Sequence, residues 1–192
     1  MARAPFEIAG VEVKAGTRET VEVPVAKLYT HTPLHIPVEV VHGRRDGPVL
    51  MVCGAIHGDE INGVEIVRRV LKNSALRHLR GTLVAVPIVN IFGFVQRTRY
   101  LPDRRDLNRC FPGSESGSLG GRIAYLLRTQ IMESVTHIID LHTGAIHRFN
   151  LPQIRAELLA LKEQRKDGSG FQPLKLPNWA SKHQKKAADG AG

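Results

Sequence analysis

The stretch "VLMVCGAIHGDEINGVEIVRRVL", Val49 to Leu71, decides how the chain reads. An unbroken apolar run stops at Gly54, and a histidine, an aspartate and a glutamate follow within four residues, His57 to Glu60. Beyond them Ile61, Val64, Val67, Val70 and Leu71 recur at helical spacing, which predicts a helix through about Leu71. The apolar run suits a central strand covered on both faces. HGDE then sits at the carboxyl end of a strand, where ligands gather in open α/β sheets.

The surroundings extend this pattern. "GTLVAVPIVN", Gly81 to Asn90, is a second buried strand reached through a helix, hence a parallel partner. "RIAYLLRTQIM" predicts a further helix and "VTHIIDLH" a third buried strand, ending at His142. Upstream, "VEVKAG", "ETVEVPVAKL" and "LHIPVEVVHG" form an antiparallel lead-in, and "GRRDG" reads as a hairpin turn into the first central strand. From "FGFVQRTRY" to "SGSLGG" the chain reads as one long loop, and loops of that length in a compact domain tend to be functional.

With 192 residues the chain accommodates one ordinary domain. Residues 1–155 are expected to form it, with 156–192 a short helix followed by a poorly ordered, Gly-, Pro- and Lys-rich tail. Cys53 and Cys110 lack any paired spacing, which argues against a disulfide framework and a cysteine-based zinc site. No run approaches the roughly 18 apolar residues of a membrane span, and no secretory h-region opens the chain, so a cytoplasmic location is expected. A net charge of +9 speaks to nonspecific attraction, and no nucleic-acid-binding motif accompanies it.

His57 and Glu60, three apart where a helix opens, can turn toward one point. Zinc accepts imidazole nitrogen and carboxylate oxygen, and a catalytic zinc has three protein ligands with one position left to water. His142 supplies the third from the end of an apolar strand. Taken singly, an HxxE is more often a solvated helix start, with Asp59 as the cap. The loop "RYLPDRRDLNRCFPG" adds arginines whose planar forks suit a carboxylate or an oxyanion, although a run of arginines is by default a solvated surface.

"HGDE", then "RDLNRCFPG", then "IDLHTG", in this order, resembles the succinylglutamate desuccinylase/aspartoacylase family of zinc hydrolases, relatives of the zinc carboxypeptidases. The resemblance covers about Asp46 to Arg155 and implies a three-layer α/β/α fold with a mixed, largely parallel sheet. It implies one zinc per chain, held by His57, Glu60 and His142. It places Asn108 and Arg109 on the substrate's free carboxylate and Arg99 on the scissile carbonyl, with Arg97 and Arg104 as weaker alternatives. Asp106 matches an acid that bonds the first zinc histidine. The implied reaction is hydrolysis of an amide or ester of an N-acyl amino acid-like substrate by metal-activated water.

One departure stands out. The family's general-base glutamate lies well downstream of the last zinc ligand, and here 50 residues follow His142, with Glu157 and Glu163 the remaining glutamates. Neither matches the family's catalytic position. The chain thus reads as lacking the family's C-terminal portion, and a catalytically impaired zinc- or carboxylate-binding module is the alternative to an active deacylase.

Overall fold

The computed structural model describes residues 3–27 and 30–154. Residues 1–150 form one compact unit, and the second, 151–192, is described only at 151–154, which carry neither helix nor strand. Glu157, Glu163 and the expected basic tail lie outside the described residues.

Among the described residues, seven strands form two sheets. β1 (Phe6–Ile8) and β2 (Val11–Val13) make a separate antiparallel pair. The main sheet comprises β3 (Arg18–Lys27), β4 (Pro33–His42), β5 (Arg45–Gly54), β6 (Arg80–Val86) and β7 (His137–Leu141), in the order β3-β4-β6-β5-β7. β3 with β4 and β4 with β6 are antiparallel, while β5 runs parallel to both β6 and β7. The sheet is mixed, and its parallel half is the half that ends at HGDE and His142.

The strand alternation of β5 and β6 sorts side chains to two faces. Val52, Leu83 and Ala85 pack on Val67 and Leu71 of α1 (Asn62–Lys72). Met51, Cys53, Val84 and Val86 belong to the larger core with Ile123, Ala124 and Leu127 of α3 (Leu119–Gln130). The result is a three-layer α/β/α unit with both helices held by apolar burial, each fully buried Val or Leu contributing about 1.5–3 kcal/mol.

Four local expectations change. GRRDG does not close a hairpin between neighbours, because β6 lies between β4 and β5 and the Gly43 amide donates to Gly81 O at 2.9 Å. The expected long loop carries α2 (Ile91–Gln96), whose first turn is capped by Asn90 Oδ1 accepting from the Gly93 amide at 2.8 Å. Asp59 does not cap α1; the residue at that position is Ile61, with no side-chain cap. Finally, β7 is not buried: it lies at the edge of the sheet among the described strands, and its Ile138 and Ile139 are 37% and 47% exposed. An edge position leaves it one strand neighbour, so apolar composition alone did not predict burial.

Candidate metal centre

β5 delivers the chain to HGDE through a strained step. Ala55 follows Gly54 with φ of 50°, a left-handed conformation uncommon outside glycine, and its carbonyl accepts from the Asn90 amide at 2.9 Å. Gly58 then passes so close to α2 that a Cβ would lie 1.8 Å from Gly93 C, which no side chain could tolerate. This close backbone approach buries His57 and Glu60, at 2% and 3% exposure, immediately ahead of α1.

Around Glu60 the donors converge. One carboxylate oxygen lies 2.8 Å from His57 Nδ1 and the other 3.0 Å from His142 Nδ1. One ligand atom from each of His57, Glu60 and His142 falls within 4.8 Å of the others. The Thr143 amide also donates to Glu60 Oε2, at 2.9 Å. His142 reaches this point from the carboxyl end of β7, which pairs with β5 in register Gly54 to Leu141.

The outer faces of the two imidazoles are held by aspartates. His57 Nε2 lies 3.0 Å from Asp106 Oδ1, and His142 Nε2 lies 2.6 Å from Asp140 Oδ2. Each imidazole therefore stands between two carboxylates, which only accept; with a cation seated by Glu60, the aspartates would take the Nε2 protons and leave each Nδ1 lone pair to the ion. Lone pairs of two imidazoles and a carboxylate aimed at one point fit a borderline divalent cation such as zinc. The donor set and its burial are compatible with that ion.

Arg99 completes the cluster. Its Nη1 is 3.2 Å from both Glu60 Oε1 and His57 Nδ1, while Nε and Nη2 grip Asp106 Oδ2 at 3.0 and 2.9 Å. Partial burial raises the Asp106 carboxyl, but the charges and hydrogen bonds of His57 and Arg99 outweigh it and hold the group below its usual value. The hydrogen bond to Asp140 raises His142 against its partial burial, with Glu60 adding to the effect. Burial, reinforced by Asp140, pushes the Cys53 thiol well up.

Of the arginines considered for the scissile carbonyl, Arg99 reaches the ligand pair. Arg97 instead caps α2 in a left-handed conformation, and Arg104, also left-handed, lies at the exposed turn of the loop. Asn108 and Arg109 belong to a short 3-10 turn, Leu107–Arg109, whose start is capped by Asp106. Both are exposed, and Arg109 Nε is 4.0 Å from Asp106 Oδ2. They therefore stand on the rim, one carboxylate away from the imidazole. Asp140 was not singled out in the sequence, although an acid two places before a strand-end histidine is a readable signal for such a pairing.

Residues 46–171 match the family described as succinylglutamate desuccinylase/aspartoacylase catalytic domain. N-alpha-acetyl-L-2,4-diaminobutyric acid deacetylase of Halomonas elongata is 30% identical over 132 residues, 68% of this chain and 38% of that protein. An aspartoacylase family protein of Mesorhizobium loti superposes with a TM-score of 0.61 at 30% identity, covering 73% of this chain and 44% of its own. A succinylglutamate desuccinylase/aspartoacylase of Rhodobacter sphaeroides gives 0.60 at 27% identity, over 67% and 40%. The chain thus spans less than half the length of these relatives.

Proposed function

Because the chain belongs to the succinylglutamate desuccinylase/aspartoacylase family of hydrolases, we propose that it acts as a zinc-dependent deacylase on the amide or ester bond of a small N-acyl amino acid-like substrate. The observation that carries this reading is the convergence of one ligand atom each from His57, Glu60 and His142 within 4.8 Å of one another. A bound zinc would supply Lewis acidity and lower the pKa of water toward about 7. His57, Glu60 and His142 would hold the ion. Arg99 polarises the scissile carbonyl and stabilises the charge that develops on its oxygen. Asn108 and Arg109 take the free carboxylate, for which the planar guanidinium offers two parallel donors. The name of the Halomonas relative makes an N-acetylated diamino acid a first substrate to try.

A second reading, a metal- and carboxylate-binding module with little turnover, is favoured by one observation. Glu60, Asp106 and Asp140 each have both carboxylate oxygens engaged, with His57, Arg99, His142, Thr143, the Asn108 amide and Cys53 as partners. None of these three acids is free to take and return a proton.

Elemental analysis of the purified chain and its His57→Ala and His142→Ala variants tests the metal, and about one zinc, lost in both variants, is expected. Hydrolysis of N-acetyl-diaminobutyrate, N-acetylaspartate and N-succinylglutamate with zinc present separates the readings. Turnover supports the deacylase; zinc binding without turnover supports the module. A wild-type chain that takes up no zinc overturns both.

A further inference from the structure

Asp140 and His142 stand two residues apart at the end of β7, a spacing that puts both side chains on the same side of an extended segment. Asp140 Oδ2 lies 2.6 Å from His142 Nε2, on the side of the ring away from Glu60. Its other oxygen, Oδ1, is 3.5 Å from Cys53 Sγ, the residue paired with Asp140 in the β5–β7 register. The same plan governs the first histidine, with Asp106 on Nε2 and Glu60 on Nδ1. Each imidazole is thus clamped between its own aspartate and the shared glutamate.

The two clamps differ in what else supports them. The His57 side chain is 2% exposed and held by packing on every side, whereas that of His142, just past the end of β7, is 35% exposed. With so little packing around it, His142 depends on hydrogen bonds to select one rotamer and one tautomer. Glu60 cannot do this: being an acceptor only, it draws the imidazole proton to Nδ1, where that proton withdraws the lone pair a metal needs, and nothing on its side directs the proton to Nε2. A carboxylate at Nε2 does so.

We infer that Asp140 is a positioning residue: it accepts the Nε2 proton of His142, fixes the ring with Nδ1 toward Glu60, and is itself steadied by the Cys53 thiol. The inference rests on the metal reading of the site, and it assigns the chain a second aspartate–histidine pair beside Asp106–His57.

Zinc dissociation constants from chelator competition, on the wild-type chain, Asp140→Ala and Asp140→Asn, test it together with imidazole ¹⁵N spectra of the zinc-loaded wild type. Asp140→Ala is expected to weaken zinc by about 10- to 100-fold. Asp140→Asn keeps a carbonyl oxygen for Nε2–H and is expected to recover part of that loss, a rescue that general destabilisation would not produce. The zinc-loaded wild type should show His142 bound through Nδ1 with its proton on Nε2. A folded Asp140→Ala chain within twofold of wild type, or zinc bound through Nε2 of His142, overturns the role of Asp140 alone. A wild type that binds no zinc overturns the metal reading and this inference with it.

Discussion

Arg99 Nη1 lies 3.2 Å from Glu60 Oε1, so the guanidinium touches a proposed metal ligand while its other nitrogens stay on Asp106. A cation at that distance opposes the binding of a second one and suits an oxygen that gains negative charge. Replacing Arg99 with alanine should therefore leave zinc affinity equal or tighter and lower kcat/KM by about 10²- to 10³-fold. Arg99→Lys keeps the charge and loses the forked grip on Asp106, and should fall between the two. Steady-state kinetics beside zinc competition on the same preparations check the split; a parallel loss of zinc and rate would show that Arg99 only holds the site together.

The HGDE turn depends on the close packing of Gly58 against α2. With Gly93 C 1.8 Å from where a Cβ would sit, Gly58→Ala forces the backbone apart. Overpacking in a well-packed interior costs about 1–3 kcal/mol, and more where, as here, the obstacle is backbone. Urea unfolding should show a loss in or above that range, and zinc affinity should fall because His57 and Glu60 flank the displaced residue. Gly117→Ala is the control: a Cβ there meets nothing within 4 Å, although its φ of 123° adds some local strain.

Much of this site was readable because strong local patterns carry it. An apolar run followed by helical periodicity placed β5 and α1, and His57, Glu60 and His142 fell at strand ends without any knowledge of long-range packing. What local pattern could not carry was neighbour order. Nothing in "HGRRDGPVL" says that β6 inserts between β4 and β5, since that contact is made by Gly81, nearly forty residues later. α2 is hard to read because six residues containing a glycine show too little periodicity, and that glycine answers to a tertiary contact, since a Cβ on Gly93 would lie 2.7 Å from Thr98 O. Ile138 and Ile139 looked like core for the same reason: composition reports what a strand can bury, and position in the sheet decides how much it does. Asp140 carries no signal by itself in "IIDLH", because its pairing with His142 depends on the extended backbone that puts both side chains on one side.

The two thiols should separate by exposure. Cys53 is 5% exposed and pushed well up by burial and by Asp140, so very little thiolate exists near neutral pH. Cys110 is raised too, chiefly by its own burial, but it is only half-buried at the loop. Alkylation at pH 7.5 followed by mass spectrometry should modify Cys110 slowly and Cys53 only when the sheet opens, so that Cys53 labelling rises with urea along the unfolding curve. Rapid labelling of Cys53 in the native chain would mean that the β5–β7 edge opens on its own.

Arg109 offers the cleanest separation of binding from folding. Its side chain is 84% exposed, and its contact to Asp106 is long at 4.0 Å, so neither burial nor the ion pair stabilises the fold appreciably. Arg109→Ala should leave the unfolding midpoint nearly unchanged, within about 0.5 kcal/mol. If Arg109 takes the substrate's carboxylate, the same change removes a charge-assisted pair made in both ground and transition states, so KM rises with kcat little altered. A hydrogen bond to a charged group contributes about 1.5–3 kcal/mol, which corresponds to roughly a 10- to 150-fold rise in KM. The matching control removes the charge from the other side: a substrate whose carboxylate is capped as an amide should bind wild type and Arg109→Ala about equally. Equal KM values for the free carboxylate in both chains would move the carboxylate site elsewhere on the loop.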